Sequence, residues 1–192
     1  MNENELFLQR LGFLQDFVSN AEQQLGICEA LRETTDQPDT TIQSAIFLTI
    51  LPGVEQRLIL YCAQLLDQKS GTNLKKLITH YRENRDKIDH AGNPVSNQVI
   101  EELLETSHLN DAKIRTLRDR AIAHLDRAYT TDPATFLEEN KVHLQDVVSV
   151  IQHAQRILSC LGFATKKSSI VSTGGLFRAA TLQYFCQLQT PK

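Results

Sequence analysis

The chain has 192 residues, of which 41% are hydrophobic and 22% are charged. This length suits a single domain with a buried core, and the composition excludes global disorder. The formal net charge of −3 argues against broad binding of duplex nucleic acid through a basic face. A small local phosphate site remains compatible with that charge.

The start of the chain and its cysteine pattern predict a cytoplasmic protein. The start, MNENELFLQR, has no basic segment followed by an apolar one, so we expect no secretory signal. The best membrane candidate, residues 45–51, is too short to span a bilayer. The cysteines lie far apart, without zinc-type spacing, and we interpret them as reduced, mostly buried thiols: Cys28, Cys62, Cys160 and Cys186.

Apolar residues at helical intervals predict a first helix over residues 4–33. Its inward stripe consists of Leu6, Leu11, Leu14, Phe17, Val18, Ala21 and Leu25. A second predicted helix covers residues 41–68, and Pro52 is expected to kink it or split it in two. A short third helix spans residues 74–82. The stretch 83–97 has no hydrophobic period and is interpreted as a loop.

The second half of the chain predicts longer helices. A fourth helix, broken or continuous, covers residues 99–105 and 111–128, with Asn110 as an N-cap. Asp132 followed by Pro133 indicates the start of a fifth helix that ends near residue 161. Its expected core-facing residues are Phe136, Leu144, Val147, Val148, Ile151, Ala154 and Leu158. A polar linker, TKKSSIVSTGG, then precedes a last amphipathic helix over residues 176–188.

These elements predict an all-α fold, because no stretch alternates as a β-strand does. We expect an antiparallel bundle of about five helices with an appended C-terminal helix. The bundle is expected to occupy residues 1–162. The linker and the amphipathic helix occupy residues 163–192, and this helix is expected to pack on the bundle or on a dimer partner.

Two segments place a histidine shortly after an arginine: RDKIDH, with Arg85 and His90, and RDRAIAH, with Arg118 and His124. Chance alone supplies about one such spacing. At about 100° per residue, Arg118 lies about 40° from the centre of an apolar stripe at Ile114, and His124 lies about 80° away on the other side. Arg85 has no such stripe around it, so we interpret RDKIDH as a solvated loop.

An arginine in an apolar stripe is costly unless it is paired or faces a cleft or a partner surface. Two interpretations therefore stay open. Arg118 and His124 are part of a reaction centre, or His124 only borders the core. In the second case Arg118 pairs structurally with a carboxylate such as Glu101, Glu102 or Asp126.

The stretch RDRAIAHLD, preceded by KIRTL, resembles the signature of the HEPN superfamily. There an Arg, usually followed by a polar residue, precedes a His by four to six positions near the end of a helix in a small bundle. The AHLD ending resembles the branch associated with abortive phage infection. Residues 61–78, YCAQLLDQKSGTNLKKLI, are similar to the helix, Leu-Asp and following helix of that branch. The likeness covers roughly residues 1–160.

The resemblance implies that Arg118 and His124 are the motif's invariant pair and that Asp119 is its polar follower. In many active members the follower is Asn. Asp119 adds a negative charge beside the expected phosphate site, and Arg120 is placed to offset it. The implied activity is a metal-independent endoribonuclease of a phage-defence or toxin–antitoxin type. His124 would remove the 2′-OH proton, and Arg118 would bind the phosphate and stabilise its transition-state charge.

The resemblance also implies partners. One Arg–His pair makes a sparse site, and a symmetric homodimer would bring two motifs into one cleft. RNA is the expected substrate, and an antitoxin or a nucleotidyltransferase is a candidate partner. The alternative is a non-catalytic helical module in which Arg118 and His124 bind a nucleotide or a partner, or only stabilise the dimer.

Other chemistry finds little support in the sequence. The remaining histidines form no HExxH or facial-triad spacing with carboxylates: His80, His90, His108, His143 and His153. The glycines of STGGLFR lack the spacing and the lysine of a phosphate loop. We therefore expect no metal and no cofactor.

Overall fold

The computed structural model describes residues 1–35, 41–106, 111–116, 118–119, 135, 138–139, 142–165, 178–181 and 183. Regular structure within these ranges is entirely helical, which confirms the all-α class. The helices are α1 (Glu3–Thr35), α2 (Thr41–Leu66), α3 (Leu74–Glu83), α4 (Asn97–Thr106), α5 (Asp111–Thr116) and α6 (Leu144–Ala164), with a 3-10 helix at Arg85–Lys87.

The first three predicted helices are confirmed, with ends that differ by at most two residues. Helix α2 contains Pro52 within one uninterrupted element, so the proline does not split it. A proline inside a helix removes one backbone hydrogen bond and crowds the preceding turn. Burial after the proline offsets this cost, since the later turns of α2 place Val54, Leu58 and Leu65 in the core.

The core forms where α1 packs on α2 and α6, with α3 against α1 and α4, and α5 against α2. The predicted stripe of α1 is confirmed in its centre, where Leu11, Leu14, Val18 and Ala21 are fully buried. The stripe is wider than predicted, because Phe7 is also buried where α1 meets α3. Helix α6 contributes Val147, Val150, Ile151, Ala154, Ile157, Leu158 and Leu161.

The stretch after α3 is more structured than the predicted solvated loop. It contains the 3-10 helix and buries two side chains, Ile88 and Val95, in the core. The backbone N–H of Val95 donates to the buried Tyr81 hydroxyl over 3.0 Å. Two buried apolar residues are too few to form a hydrophobic period, so the burial of this loop in the core was not predictable from its sequence.

Two described helices cover the fourth predicted helix, α4 (Asn97–Thr106) and α5 (Asp111–Thr116). Residues 107–110 between them lie outside the described residues, so the broken and the continuous form both stay open. The prediction of one continuous helix from residue 132 to residue 161 is wrong. Val142 and His143 are non-helical, and α6 begins only at Leu144. The backbone N–H of His143 donates to the Asp146 carboxylate over 2.9 Å, which caps the new helix. Asn110, Asp132, Pro133 and the side chain of Phe136 lie outside the described residues.

Only part of the C-terminal segment is described. Residues 178–181 and 183 are helical, and the guanidinium of Arg178 contacts the carboxylates of Glu29 and Glu33 on α1. The linker beyond Thr165 and the rest of the expected last helix lie outside the described residues, and the domain boundary at residue 162 stays a prediction. No helix in the described part of the chain is long and apolar enough to cross a membrane.

The cysteine prediction is confirmed for three of the four thiols. Cys28 and Cys62 are free and buried, and Cys160 is free and half-buried. Burial raises the pKa of Cys28 to about 11 and that of Cys62 to about 12. Cys186 lies outside the described residues.

Candidate functional site

The candidate site lies where the end of α2 meets the segment after α5. The last turns of α2 are fixed in the core by Cys62, Leu65 and Leu66, and Asp67 follows directly. Helix α5 packs on α2 through a fully buried Ile114, which confirms the predicted centre of the apolar stripe. Arg118 follows one turn later, beside the end of α2.

The guanidinium of Arg118 is held by two carboxylates. Its Nη1 donates to Oδ2 of Asp67 over 3.0 Å. Its Nε donates to Oδ1 of Asp119 over 2.6 Å, and Nη2 lies 2.6 Å from the same oxygen. The side chains of Arg118 and Asp67 are 18% and 20% exposed, so this ion pair is largely withdrawn from water. Residues 118 and 119 have a π-helical backbone, a form that is frequent at functional sites.

A guanidinium carries five N–H groups, two on each terminal nitrogen and one on Nε. The contacts with Asp67 and Asp119 use one N–H on each terminal nitrogen and the one on Nε. One N–H on Nη1 and one on Nη2 are therefore not used by these contacts. Guanidinium N–H groups are donors that proteins use to bind phosphate oxygens.

The charges of the pair are mutually stabilised. Hydrogen bonding to Asp119, followed by hydrogen bonding to Asp67, raises the pKa of Arg118 above its ordinary value although burial opposes it. Burial acts to raise the pKa of Asp67, but the Lys69 backbone N–H and the Arg118 guanidinium together hold it below its usual range. Both groups are therefore charged at neutral pH.

The loop between α2 and α3 fixes the position of Asp67. Its Oδ1 accepts a hydrogen bond from the backbone N–H of Lys69 over 2.9 Å. Its backbone oxygen accepts from the side-chain amide of Asn73 over 2.7 Å. Asn73 is itself the N-cap of α3, where its Oδ1 accepts from the Lys76 N–H. Asp67, which orients Arg118, thus follows α2 directly and is hydrogen-bonded to the N-cap of α3.

Asp67 is the partner that the sequence interpretation missed. Glu101 instead pairs with Arg82 over 3.3 Å, and Glu102 pairs with Arg156. The structural interpretation named these two glutamates among the possible partners of Arg118, and each of them instead pairs with an arginine on another element. The available signal in the sequence is the Leu-Asp within residues 61–78, the part that is similar to the abortive-infection branch.

Of the other predicted site residues, the structure describes only Asp119. Asp119 is half-exposed and contacts Arg118. Arg120, His124 and Asp126 lie outside the described residues. No group of three or more His, Cys, Asp or Glu side chains that could hold a metal ion occurs among the described residues.

The second Arg–His segment does not assemble a comparable pair of side chains. Nη1 of Arg85 donates to the Asn97 side chain over 3.0 Å. The ring of His90 packs edge-on against Tyr81, and its Nε2 lies 3.0 Å from the backbone oxygen of Arg85. These contacts connect α3 with α4, which indicates a structural role for RDKIDH.

The described residues form an all-α fold, and Arg118 precedes His124 in the sequence as the resemblance to HEPN proteins implies. The family model for AbiU2, the AbiU2 form of HEPN, matches residues 36–173, and the chain belongs to this family. The match includes Asp67, Arg118 and His124. Comparison with curated protein sequences and with solved structures gives no match.

Family membership confirms the resemblance drawn from RDRAIAHLD. It indicates an HEPN-type function in abortive infection. HEPN proteins often dimerise, which agrees with the expected assembly at that general level.

Proposed function

We propose that this protein is a metal-independent endoribonuclease of a phage-defence or toxin–antitoxin type, acting through Arg118 and His124 at a dimer cleft. The observation that carries the proposal is the state of Arg118. Its guanidinium is largely buried and fixed by Asp67 and Asp119, and it retains N–H donors that these contacts do not use. A preoriented cation in a partly dry site stabilises developing phosphate charge better than a mobile surface arginine does.

The proposed reaction is a transesterification followed by release of the products. A neutral His124 imidazole takes the proton of the ribose 2′-OH, and the 2′ oxygen attacks the adjacent phosphorus. The new P–O2′ bond forms as the P–O5′ bond breaks, and a proton returns to the departing 5′ oxygen. One product ends in a 2′,3′-cyclic phosphate and the other in a 5′-OH. Arg118 stabilises the additional negative charge on the phosphate oxygens.

Asp67 and Asp119 act as positioning residues in this scheme. They lie beside the guanidinium and fix its plane, while the unused N–H groups remain for the substrate phosphate. The negative charge of Asp119 weakens the attraction for phosphate, and Arg120 is proposed to offset it. In a two-fold dimer the partner would supply a second motif to the same cleft, and with it the second acid–base group that one chain lacks.

One observation favours a second candidate function. The guanidinium of Arg118 already has two carboxylate partners, which is also what a purely structural arginine would have. In that case Arg118 connects α2 to the segment after α5, and the family motif serves a non-catalytic module that binds a nucleotide or a partner. Such a module would lose stability when Arg118 is truncated, because Asp67 would be left as an unpaired carboxylate.

The test is cleavage of a defined RNA in the presence and absence of EDTA, with analysis of the product ends. We expect cleavage to persist in EDTA and to leave 2′,3′-cyclic phosphate and 5′-OH ends. Loss of cleavage on chelation, with recovery on adding a divalent ion, would contradict the mechanism. If the wild type cleaves no RNA and Arg118→Ala lowers the melting temperature steeply, the structural module is the better account.

A further inference from the structure

A cavity of about 500 Å³ opens between the first turns of α1 and the outer face of α3. The loop that carries Asp67 forms one of its walls, through Gln68 and Asn73. Asn73 also donates to the backbone oxygen of Asp67, so the cavity directly adjoins the support of Arg118. Its volume lies within the range of small-ligand pockets. We call it the α1–α3 pocket.

His80 lines the α1–α3 pocket and is only 5% exposed. Nη1 of Arg10 lies 2.6 Å from its Nδ1. Because a guanidinium can only donate, Nδ1 must accept, and the ring proton is therefore on Nε2. Burial, and then the charge of Arg10, hold the pKa of His80 below its ordinary value, so the ring is neutral at physiological pH.

The Nε2–H of His80 is a buried donor without a hydrogen-bond partner among the described residues. Oε2 of Glu3 lies 3.1 Å from Nε2 as an ion-pair contact, without the geometry of a hydrogen bond. A buried donor that is left unsatisfied is costly, and such groups are rare in native proteins. A ligand acceptor in the pocket would satisfy it.

The pocket is also rich in cationic side chains. Within the described part of the chain Arg10 has no carboxylate partner, and its guanidinium contacts His80. Lys75 and Lys76 are exposed at the rim, with two acids, Glu3 and Glu83, nearby. A neutral histidine leaves an excess of positive charge. An arginine without a carboxylate, beside a buried N–H donor, is a suitable arrangement for binding an oxyanion.

We propose that the α1–α3 pocket binds a phosphate group, with the Arg10 guanidinium and the His80 Nε2–H as its donors. Glu3 leaves Nε2 when phosphate binds, at small cost, since its side chain is 42% exposed and lies in the first turn of α1. The phosphate belongs either to an RNA strand whose scissile bond lies at Arg118, which rests on the proposed function, or to a free nucleotide. Both sources present the same oxyanion.

The test is titration of the full-length protein with inorganic phosphate, AMP and a 2′-O-methyl oligonucleotide that cannot be cleaved by 2′-OH attack. Removing a charged hydrogen bond weakens binding by about 10- to 100-fold, so Arg10→Gln should lose this much affinity. Glu3→Gln should bind several-fold more tightly, because it removes a competing negative charge. Arg82→Gln is the matched control, since Arg82 pairs with Glu101 outside the pocket, and it should bind as the wild type does.

Unchanged affinity in Arg10→Gln, or weaker binding in Glu3→Gln, would overturn the proposal. If Arg10→Gln does not fold, the phosphate site is tested instead by the NMR resonances of the His80 ring. They should shift in the wild-type protein as phosphate is added, and an unmoved His80 signal refutes the pocket. If Arg10→Gln weakens the affinity for the oligonucleotide more than the affinity for AMP, the phosphate belongs to RNA. If it weakens the affinity for AMP more, the phosphate belongs to a free nucleotide. Either result supports the phosphate site.

This test and the test of the proposed function fail separately. If the protein cleaves RNA but binds phosphate independently of Arg10, the phosphate site is refuted and the ribonuclease function is supported. If it cleaves no RNA but binds phosphate through Arg10, the ribonuclease function is refuted and the phosphate site is supported.

Discussion

Replacing Asp67 by asparagine isolates the charge that holds Arg118. An asparagine side-chain oxygen can still accept the hydrogen bond from the Lys69 N–H, so the loop keeps this contact and loses only the carboxylate. Exposed ion pairs contribute about 0–1 kcal/mol, and removing one partner of a fully buried pair costs about 3–5 kcal/mol. The Asp67–Arg118 pair is about one-fifth exposed, and Asp119 remains as a second partner of Arg118. We therefore expect Asp67→Asn to lower the free energy of unfolding by about 1–2 kcal/mol at pH 7.

The loss should depend on pH in a defined direction. The pKa of Asp67 is lowered in the folded protein, so its carboxylate stabilises the fold at any pH above the unfolded value, which is about 3.9. This stabilisation disappears as the pH falls through the folded pKa. The difference between wild type and Asp67→Asn should be constant from about pH 5 to 7 and should shrink below about pH 4.

The assay is urea denaturation followed by circular dichroism, repeated between pH 3 and pH 7. Glu101→Gln is the matched control, because Glu101 pairs with Arg82 at an exposed position and should lose less than about 1 kcal/mol. Equal stability of wild type and Asp67→Asn at pH 7 would refute the inferred pair. A difference of the same size at pH 3 would show that the lost energy is not the energy of a charge.

Three further predictions concern the core, the thiols and the assembly. Tyr81→Phe should lose about 1–3 kcal/mol in urea denaturation, because the buried Val95 N–H loses its acceptor; an unchanged midpoint would contradict this hydrogen bond. Cys28 and Cys62 should resist Ellman's reagent at pH 8 until urea unfolds the chain, since burial raises their pKa to about 11 and about 12, and rapid native labelling of either would contradict the packing. Light scattering should give a dimer at micromolar concentration, and a monomer would count against the shared cleft.

Helices that bury apolar residues at helical intervals were predictable from the sequence. Helix α1 buries Leu11, Leu14, Val18 and Ala21 in this way, α3 buries Leu74, Leu77, Ile78 and Tyr81, and the predicted ends of both differ from the observed ones by at most two residues. The break before α6 was not predictable in this way. At this break His143 and Asp146 are joined by local capping hydrogen bonds, which leave the apolar pattern unchanged.

At the candidate site, the position of Arg118 was predictable from the sequence, and its partner Asp67 was not. Helical geometry gives the direction of a side chain around its own axis, and it correctly placed Ile114 in the core with Arg118 beside it. It gives no information about which other element lies opposite. Asp67 is separated from Arg118 by 51 positions, so their contact arises only from the packing of α5 on α2. The carboxylates named from the sequence, Glu101, Glu102 and Asp126, all lie nearer to Arg118 along the chain than Asp67 does.

The most direct test of the ribonuclease is the cleavage rate of His124→Ala measured beside wild type and His153→Ala on the same RNA. His153 is the matched control, because it lies on α6 and its Nδ1 is 2.7 Å from the Ser149 backbone oxygen within that helix. A general base contributes about 10²- to 10⁴-fold in rate, so His124→Ala should lose that much while its melting temperature changes little. His153→Ala should cleave at the wild-type rate. Equal rates for wild type and His124→Ala would contradict the catalytic assignment.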